Sequence, residues 1–130
     1  MKIVTVSLRH QRVSPKKMRP VLNVVRGKSV NLALDKLETI ERKSARILKG
    51  LIRCGVTACK TKDYQQDELV ICEAICQEGK KLKRTAVDAR GRSRGFVKRA
   101  SHIKLSFSKK QVPLAEKVEN KQGKENGPKS

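Results

Sequence analysis

Apolar residues recur along this chain with two different periods, and the switches between them mark out its elements. Between Ile3 and Leu8 they alternate weakly, with Val4, Val6 and Leu8 on one side, which predicts a short strand. Val13-Ser14-Pro15 then reads as a helix start, because the Ser14 hydroxyl can cap and Pro15 suits a first turn that needs no N–H. Met18, Val21, Leu22 and Val25 follow at helical spacing, and Gly27 is placed to stop the helix. Pro20 removes one backbone bond and crowds the carbonyl of Lys16, so a kink is expected there. A short second helix fits Asn31 to Leu37, with Leu34 and Leu37 inward. A longer third helix fits Glu41 to Lys60. Ala45, Leu48, Ile52, Gly55, Val56 and Cys59 share one face, and Arg42, Arg46, Lys49, Arg53 and Lys60 the other. Gly50 and Gly55 weaken this helix and leave room for another backbone to approach.

After a polar loop over Lys62 to Gln66 the period shortens to two. Leu69 to Gln77 reads as a strand with Leu69, Ile71 and Ile75 on one side and Val70, Cys72, Ala74 and Cys76 on the other. A second strand fits Phe96 to Ser108, with Val97, Ile103, Leu105 and Phe107 on its apolar side. Between them Gly79 to Gly95 is rich in Lys and Arg, poor in large apolar groups and unlike a helix. The economical reading is one long hairpin whose base packs on the helices. An arm from Leu69 to Thr85 would reach roughly 50 Å at about 3.3 Å per residue, and a free hairpin of that kind is not stable in water. A partner must supply its second surface. From Lys109 onward the chain turns to Lys, Glu, Gln, Asn, Gly and Pro, which predicts a disordered basic tail over 109–130. The folded unit is then one domain, 1–108, including a hairpin at about 79–100.

Charge changes this picture more than size does. Over 130 residues the chain has 32 Lys and Arg against 12 Asp and Glu, a formal net charge of +20. So much charge on one small domain repels itself unless a polyanion is nearby, which points to nucleic acid or an anionic membrane surface. It is also segmented. Residues 1–34 hold eight basic residues and no acid, 35–78 hold eight of each, and 79–104 hold ten basic residues against Asp88 alone. Two basic blocks separated by a neutral one suggest one wide polyanion contact, or two. The aromatics are only Tyr64, Phe96 and Phe107, which argues against a base-stacking sheet of the RRM type and for phosphate and shape contacts.

Other classes are disfavoured. No apolar run approaches the roughly 18 residues of a membrane span, and the start lacks the apolar core of a secretory signal. Cys54, Cys59, Cys72 and Cys76 are therefore expected to be reduced thiols. Neither pair has the C-x2-C spacing of a zinc site, so they read as small buried hydrophobes and no metal is expected. His10 and His102 have no local Ser, Cys or Asp arrangement for nucleophilic catalysis, and each is read as a polar contact to an anion or to the backbone. No paired carboxylates and no phosphate-binding Gly-rich loop stand out, and no cofactor is expected. The informative clusters are Lys80-Lys81-x-Lys83-Arg84 and Arg90-Gly91-Arg92-x-Arg94, followed by Lys98-Arg99. Gly91 and Gly95 permit turns and close approach to phosphate, and Arg can fork onto phosphate oxygens.

Val13-Ser14-Pro15-x-Lys17-x-Arg19-x-Val21 leading to Val25-Arg26-Gly27-Lys28 resembles the first helix of the universal large-subunit ribosomal protein family number twenty-two. Ala33-Leu34-x-x-Leu37 resembles its second helix. Glu78-Gly79, Leu82-Lys83-Arg84, Ala89-Arg90-Gly91-Arg92 and Lys98-Arg99-x-Ser101-His102-Ile103 resemble its hairpin. The blocks occur in the family's order over about residues 3–108. Four positions depart from its pattern: Lys80 follows Gly79 where Pro is usual, Asp88 replaces a common basic residue, Pro20 replaces a helix former, and Thr57-Ala58 stands where Asn-Ala is frequent.

The resemblance implies an α+β fold, with three helices packed on a small three-stranded antiparallel sheet and a long protruding β-hairpin. It implies a structural, non-enzymatic constituent of the large ribosomal subunit in the cytoplasm, or in an organelle. Its partners would be 23S-type rRNA, neighbouring large-subunit proteins, and the nascent polypeptide in the exit tunnel that the hairpin lines. Arg9, Arg12, Lys16, Lys17, Arg19, Arg26 and Lys28 would then hold rRNA phosphates around the first helix, and Lys83, Arg84, Arg90, Arg92, Lys98, Arg99 and His102 would anchor the hairpin. Ala86, Val87, Asp88, Ala89, Arg90, Gly91 and Arg92 would form its tip. A sequence-tolerant DNA-binding architectural protein is the competing reading, but Ala86 to Arg94 offers none of the Phe, Leu, Ile, Met or Pro wedges of such arms. An RNA-processing enzyme lacks a recognisable acid–base or metal constellation.

Overall fold

The computed structural model describes residues 3–110, so the expected tail lies outside the described residues except for Lys109 and Lys110. The elements run β1 (Val4–Gln11), α1 (Pro15–Val25), α2 (Val30–Glu38), α3 (Lys43–Lys60), β2 (Leu69–Glu78), β3 (Leu82–Val87), β4 (Ser93–Lys98) and β5 (Ser101–Lys109). One-turn 3-10 helices precede β2 at Gln66–Glu68 and cross the hairpin tip at Ala89–Gly91. The main sheet has the order β1-β5-β2 with both pairings antiparallel, and β3 and β4 form a second, two-stranded sheet. The class is α+β, with three helices on a three-stranded sheet and a projecting hairpin.

The core lies between the helices and one face of β1-β5-β2. Met18, Leu22 and Val25 of α1, Leu48 and Ile52 of α3, and Ile103, Leu105 and Phe107 of β5 are all buried in it. These are the residues that the 3.6- and 2-residue periods put inward. The apolar face expected for the third helix is buried as a set, but the helix starts at Lys43, with Glu41 outside it. Ser14 sits at the N-cap position of α1 in extended conformation without a side-chain cap bond; its carbonyl accepts from the N–H groups of Lys17 and Met18 instead. Helix α1 runs on through Pro20, which is exposed.

Two strands depart from the periodic reading, each for a local reason. In β2 the register against β5 shifts between Ile71 and Glu73. That bulge turns the later residues over, so Ala74 is buried and Ile75 only half-buried, the reverse of strict alternation. The single strand expected over Phe96 to Ser108 is two, because pairing passes from β3 to β2 across Arg99-Ala100. Gly79 N–H donates to the Ala100 carbonyl at 2.8 Å and closes the main sheet at this joint. Beyond it β3 and β4 pack on each other and hardly on anything else.

The segment after α1 covers the free edge of β2. Gly27 N–H donates to Ile71 O at 2.8 Å, Ile71 N–H donates to Lys28 O at 3.0 Å, and Ser29 bridges Val70. An edge occupied in this way is closed to strand addition over those residues.

Candidate nucleic-acid interface

The two basic blocks of the sequence meet at the root of the hairpin. A groove of about 570 Å³ runs between the turn that joins β1 to α1 and the start of the hairpin. His10, Arg12 and Ser14 line it from the first block, and Lys80, Leu82, Val97, Lys98, Arg99 and Ala100 from the second. A second groove shares His10 and adds Arg9, His102 and Lys104. A third shares Arg12 and adds Lys17, Arg42 and Lys43, where α1 and α3 both begin. A fourth lies on the hairpin itself, along Lys83, Arg84, Phe96 and Val97. Shared residues join all four into one cationic tract, and no carboxylate lines any of them.

Little inside the protein neutralises this tract. Among the described residues the ion pairs are Lys49–Glu38, Lys81–Glu78, Lys104–Glu73 and Lys109–Glu68. Of these cations only Lys104 borders the tract. The starts of α1 and α3 add to the field, since neither has an acidic residue in its first turn or a side-chain cap. The positive ends of their dipoles are left without a counter-charge from the protein.

The expected residues divide into those the fold gathers and those it sets apart. Arg9, Arg12, Lys17, Lys83, Arg84, Lys98, Arg99 and His102 line the grooves. Lys16 and Arg19 are exposed along α1. Arg26 and Lys28 lie past the far end of α1, about 15 Å along a helix of this length. Arg26 Nη2 donates to the Ala74 carbonyl at 2.7 Å, tying α1 to β2. Lys28 lies against Lys36, and that side-chain contact, partial burial and like-charge repulsion push its ammonium below the usual lysine range. Lys80, Arg42, Lys43 and Lys104 also line the tract. Arg42 and Lys43 were hidden in a block whose net charge is zero; their signal was position at a helix start.

The histidines meet at the centre of the tract. His10 has φ 55 within the register shift of β1 between Leu8 and Gln11. Its N–H donates to His102 Nδ1 at 3.0 Å, and the rings stand edge to face with centroids 4.7 Å apart. This realises the backbone contact expected for His102. Acceptance at Nδ1 leaves the proton of the neutral His102 ring on Nε2.

At the tip, Val87 pairs with Ser93, and residues 88–92 make the turn. Arg90 and Gly91 both have positive φ, 60 and 70. The Asp88 carboxylate accepts from Ala89 N–H at 2.9 Å, and Asp88 N–H donates to Arg92 O. The acid that looked out of place in a basic block therefore folds the turn; among the described residues it pairs with neither Arg90 nor Arg92. Val87 stands 89% exposed beside it. The thiols are scattered: Cys59 is buried, Cys76 partly so, and Cys54 and Cys72 are exposed. The buried reading holds at Cys59 and in part at Cys76, and fails at Cys54, off the core face of α3, and at Cys72, which alternation sets opposite the buried Leu69 and Ile71. No cluster of metal-ligating side chains occurs among the described residues, and no helix there is long and apolar enough to cross a membrane.

Fold and charge together define a small α+β protein with one continuous cationic tract that its own acids leave unbalanced. Residues 6–108 match the family of ribosomal protein L22p/L17e. Large ribosomal subunit protein uL22 of Sulfurihydrogenibium sp. is 36% identical over 104 residues, 80% of this chain and 90% of that protein. The uL22 protein of Desulfosudis oleivorans is 33% identical over 110 residues, 85% and 96% of the two chains. That of Clostridium kluyveri is 40% identical over 98 residues, 75% and 88%. The chain belongs to the ribosomal protein L22p/L17e family.

Proposed function

We propose that the protein is a structural constituent of the large ribosomal subunit that binds large-subunit rRNA through the tract at the hairpin root. The observation that carries this reading is the convergence of Arg12 with Lys98 and Arg99, far apart in sequence, on one groove without a carboxylate. A phosphate backbone supplies the missing negative charge, and each neutralised phosphate releases counterions. The exposed hairpin, whose strands rest mainly on each other, gains its second surface from the same RNA. The domain over 1–108 sits on the subunit, and the hairpin reaches inward along the exit tunnel. The tip at Ala86–Arg92 then faces the lumen, where the exposed Val87 meets the nascent polypeptide. Neighbouring large-subunit proteins flank the domain, and the location is the ribosome.

Competition tests this against the DNA-binding alternative. The full chain bound to labelled large-subunit rRNA fragments is challenged with unlabelled rRNA fragments or duplex DNA at physiological salt. The fragments are expected to displace the label at lower concentration; preferential displacement by the duplex would overturn the reading.

A further inference from the structure

We propose that the groove at the hairpin root holds one unstacked nucleotide of the bound rRNA, with its base against the His10 ring and Leu82 and its phosphate on Arg12 and Arg99. The inference rests on the rRNA-binding reading and specifies the ligand of one part of that tract.

The groove shares its mix of apolar wall and cationic rim with the rest of the tract, and differs in bringing the His10 ring together with Leu82 and Val97. At about 570 Å³ it falls within the range of pockets that enclose small ligands, roughly 300–1,000 Å³. More of its wall is apolar than polar, although cations rim it and no carboxylate lines it. A helical phosphate ridge crossing this surface would satisfy the rim and leave Leu82 uncovered. A nucleotide pulled from its stack matches both parts, since its base presents an apolar face and its phosphate lies one sugar away. Unstacked bases are held in this manner by ring and guanidinium planes.

The conformation of His10 supports the same occupant. A non-glycine residue at φ 55 is strained, and such residues persist where their surroundings over-determine them, commonly at binding sites. Here the over-determination is visible in the bond from His10 N–H to His102 Nδ1 and the edge-to-face contact of the two rings. A bulge interrupts the β1 ladder at this point and re-aims the side chain. The result is an exposed ring, fixed in place, on the wall between two cationic grooves.

Large subunits carrying the full chain provide the test. Short-wavelength irradiation followed by nuclease and protease digestion should yield a single-nucleotide adduct on the peptide containing His10. Base-specific chemical probing should show one rRNA base shielded in wild-type subunits, with reactivity rising severalfold in subunits carrying His10→Asn or Leu82→Glu. Asn tolerates the positive φ, so the first variant removes the ring and keeps the backbone. Should a variant fail to assemble, the wild-type adduct decides alone. An adduct to another protein at His10, or no nucleotide adduct there with an unchanged probing profile, overturns the inference while the chain's presence in the subunits preserves the wider reading. Absence of the wild-type chain from large subunits overturns both.

Discussion

Gly55 and Phe107 show how closely single residues are matched. Phe107 is fully buried on β5, and its ring fills the space that a Cβ on Gly55 would need. The sequence had suggested close approach of a backbone to this glycine; the neighbour is an aromatic ring, a detail that α3 periodicity cannot carry because it depends on which strand residue lies beneath. Gly55→Ala should therefore destabilise the domain by about 1–3 kcal/mol through overpacking. Gly50 has nothing within 4 Å of its potential Cβ, so Gly50→Ala should stabilise by up to about 1 kcal/mol through helix propensity. Opposite shifts in melting temperature check the pair. The thiols make a second residue-scale prediction. Burial pushes the Cys59 thiol above its usual range, whereas Cys54 and Cys72 are exposed. Mass spectrometry of alkylated native protein should find Cys54 and Cys72 modified before Cys59. Because the folded state holds the Cys59 proton more tightly than the unfolded state does, this group's contribution to stability is present below the ordinary thiol pKa. It is lost as pH rises through the folded value.

Elements were legible where one face meets one core, and less so where a strand changes partner. Helices α1, α2 and α3 follow the apolar spacing, since each buries a single stripe. Strand boundaries and faces were misread at the β2 bulge and at Arg99-Ala100, because a one-residue shift inverts alternation and a change of pairing leaves no mark on periodicity. This joint has a dynamic consequence. Strands β3 and β4 lack a packed face, whereas β5 lies in the middle of the main sheet with Ile103, Leu105 and Phe107 buried. Hydrogen exchange on the isolated protein should show β3–β4 amides exchanging far faster than those of β5. Replacing residues 81–98 with a short turn should leave the melting temperature of the domain nearly unchanged, because the Gly79–Ala100 bond already closes the main sheet. A collapse of the melting transition would show that the hairpin supports the core.

At the scale of the whole molecule, the charge blocks in the sequence indicated a polyanion but left one contact or two undecided. The fold joins them, since β1 and β5 are neighbours and carry the start of α1 to the hairpin root. Sequence order could not show this, as strand pairing over about a hundred residues produced it. Arg42 and Lys43 entered the tract for the same reason, from a segment whose charges cancel on average. If the tract holds phosphates, Arg12→Gln and Lys98→Gln should each weaken rRNA binding and each lower the log–log salt slope by about 0.7–0.9. Lys49→Gln, which removes a cation already paired with Glu38 away from the tract, should leave the slope unchanged. The most direct measurement of the central claim is sedimentation of the native chain from cell extract through gradients of increasing salt. The account predicts that the chain travels with large ribosomal subunits at moderate salt and leaves them at high salt; a chain found only in the soluble fraction at every salt concentration would contradict it.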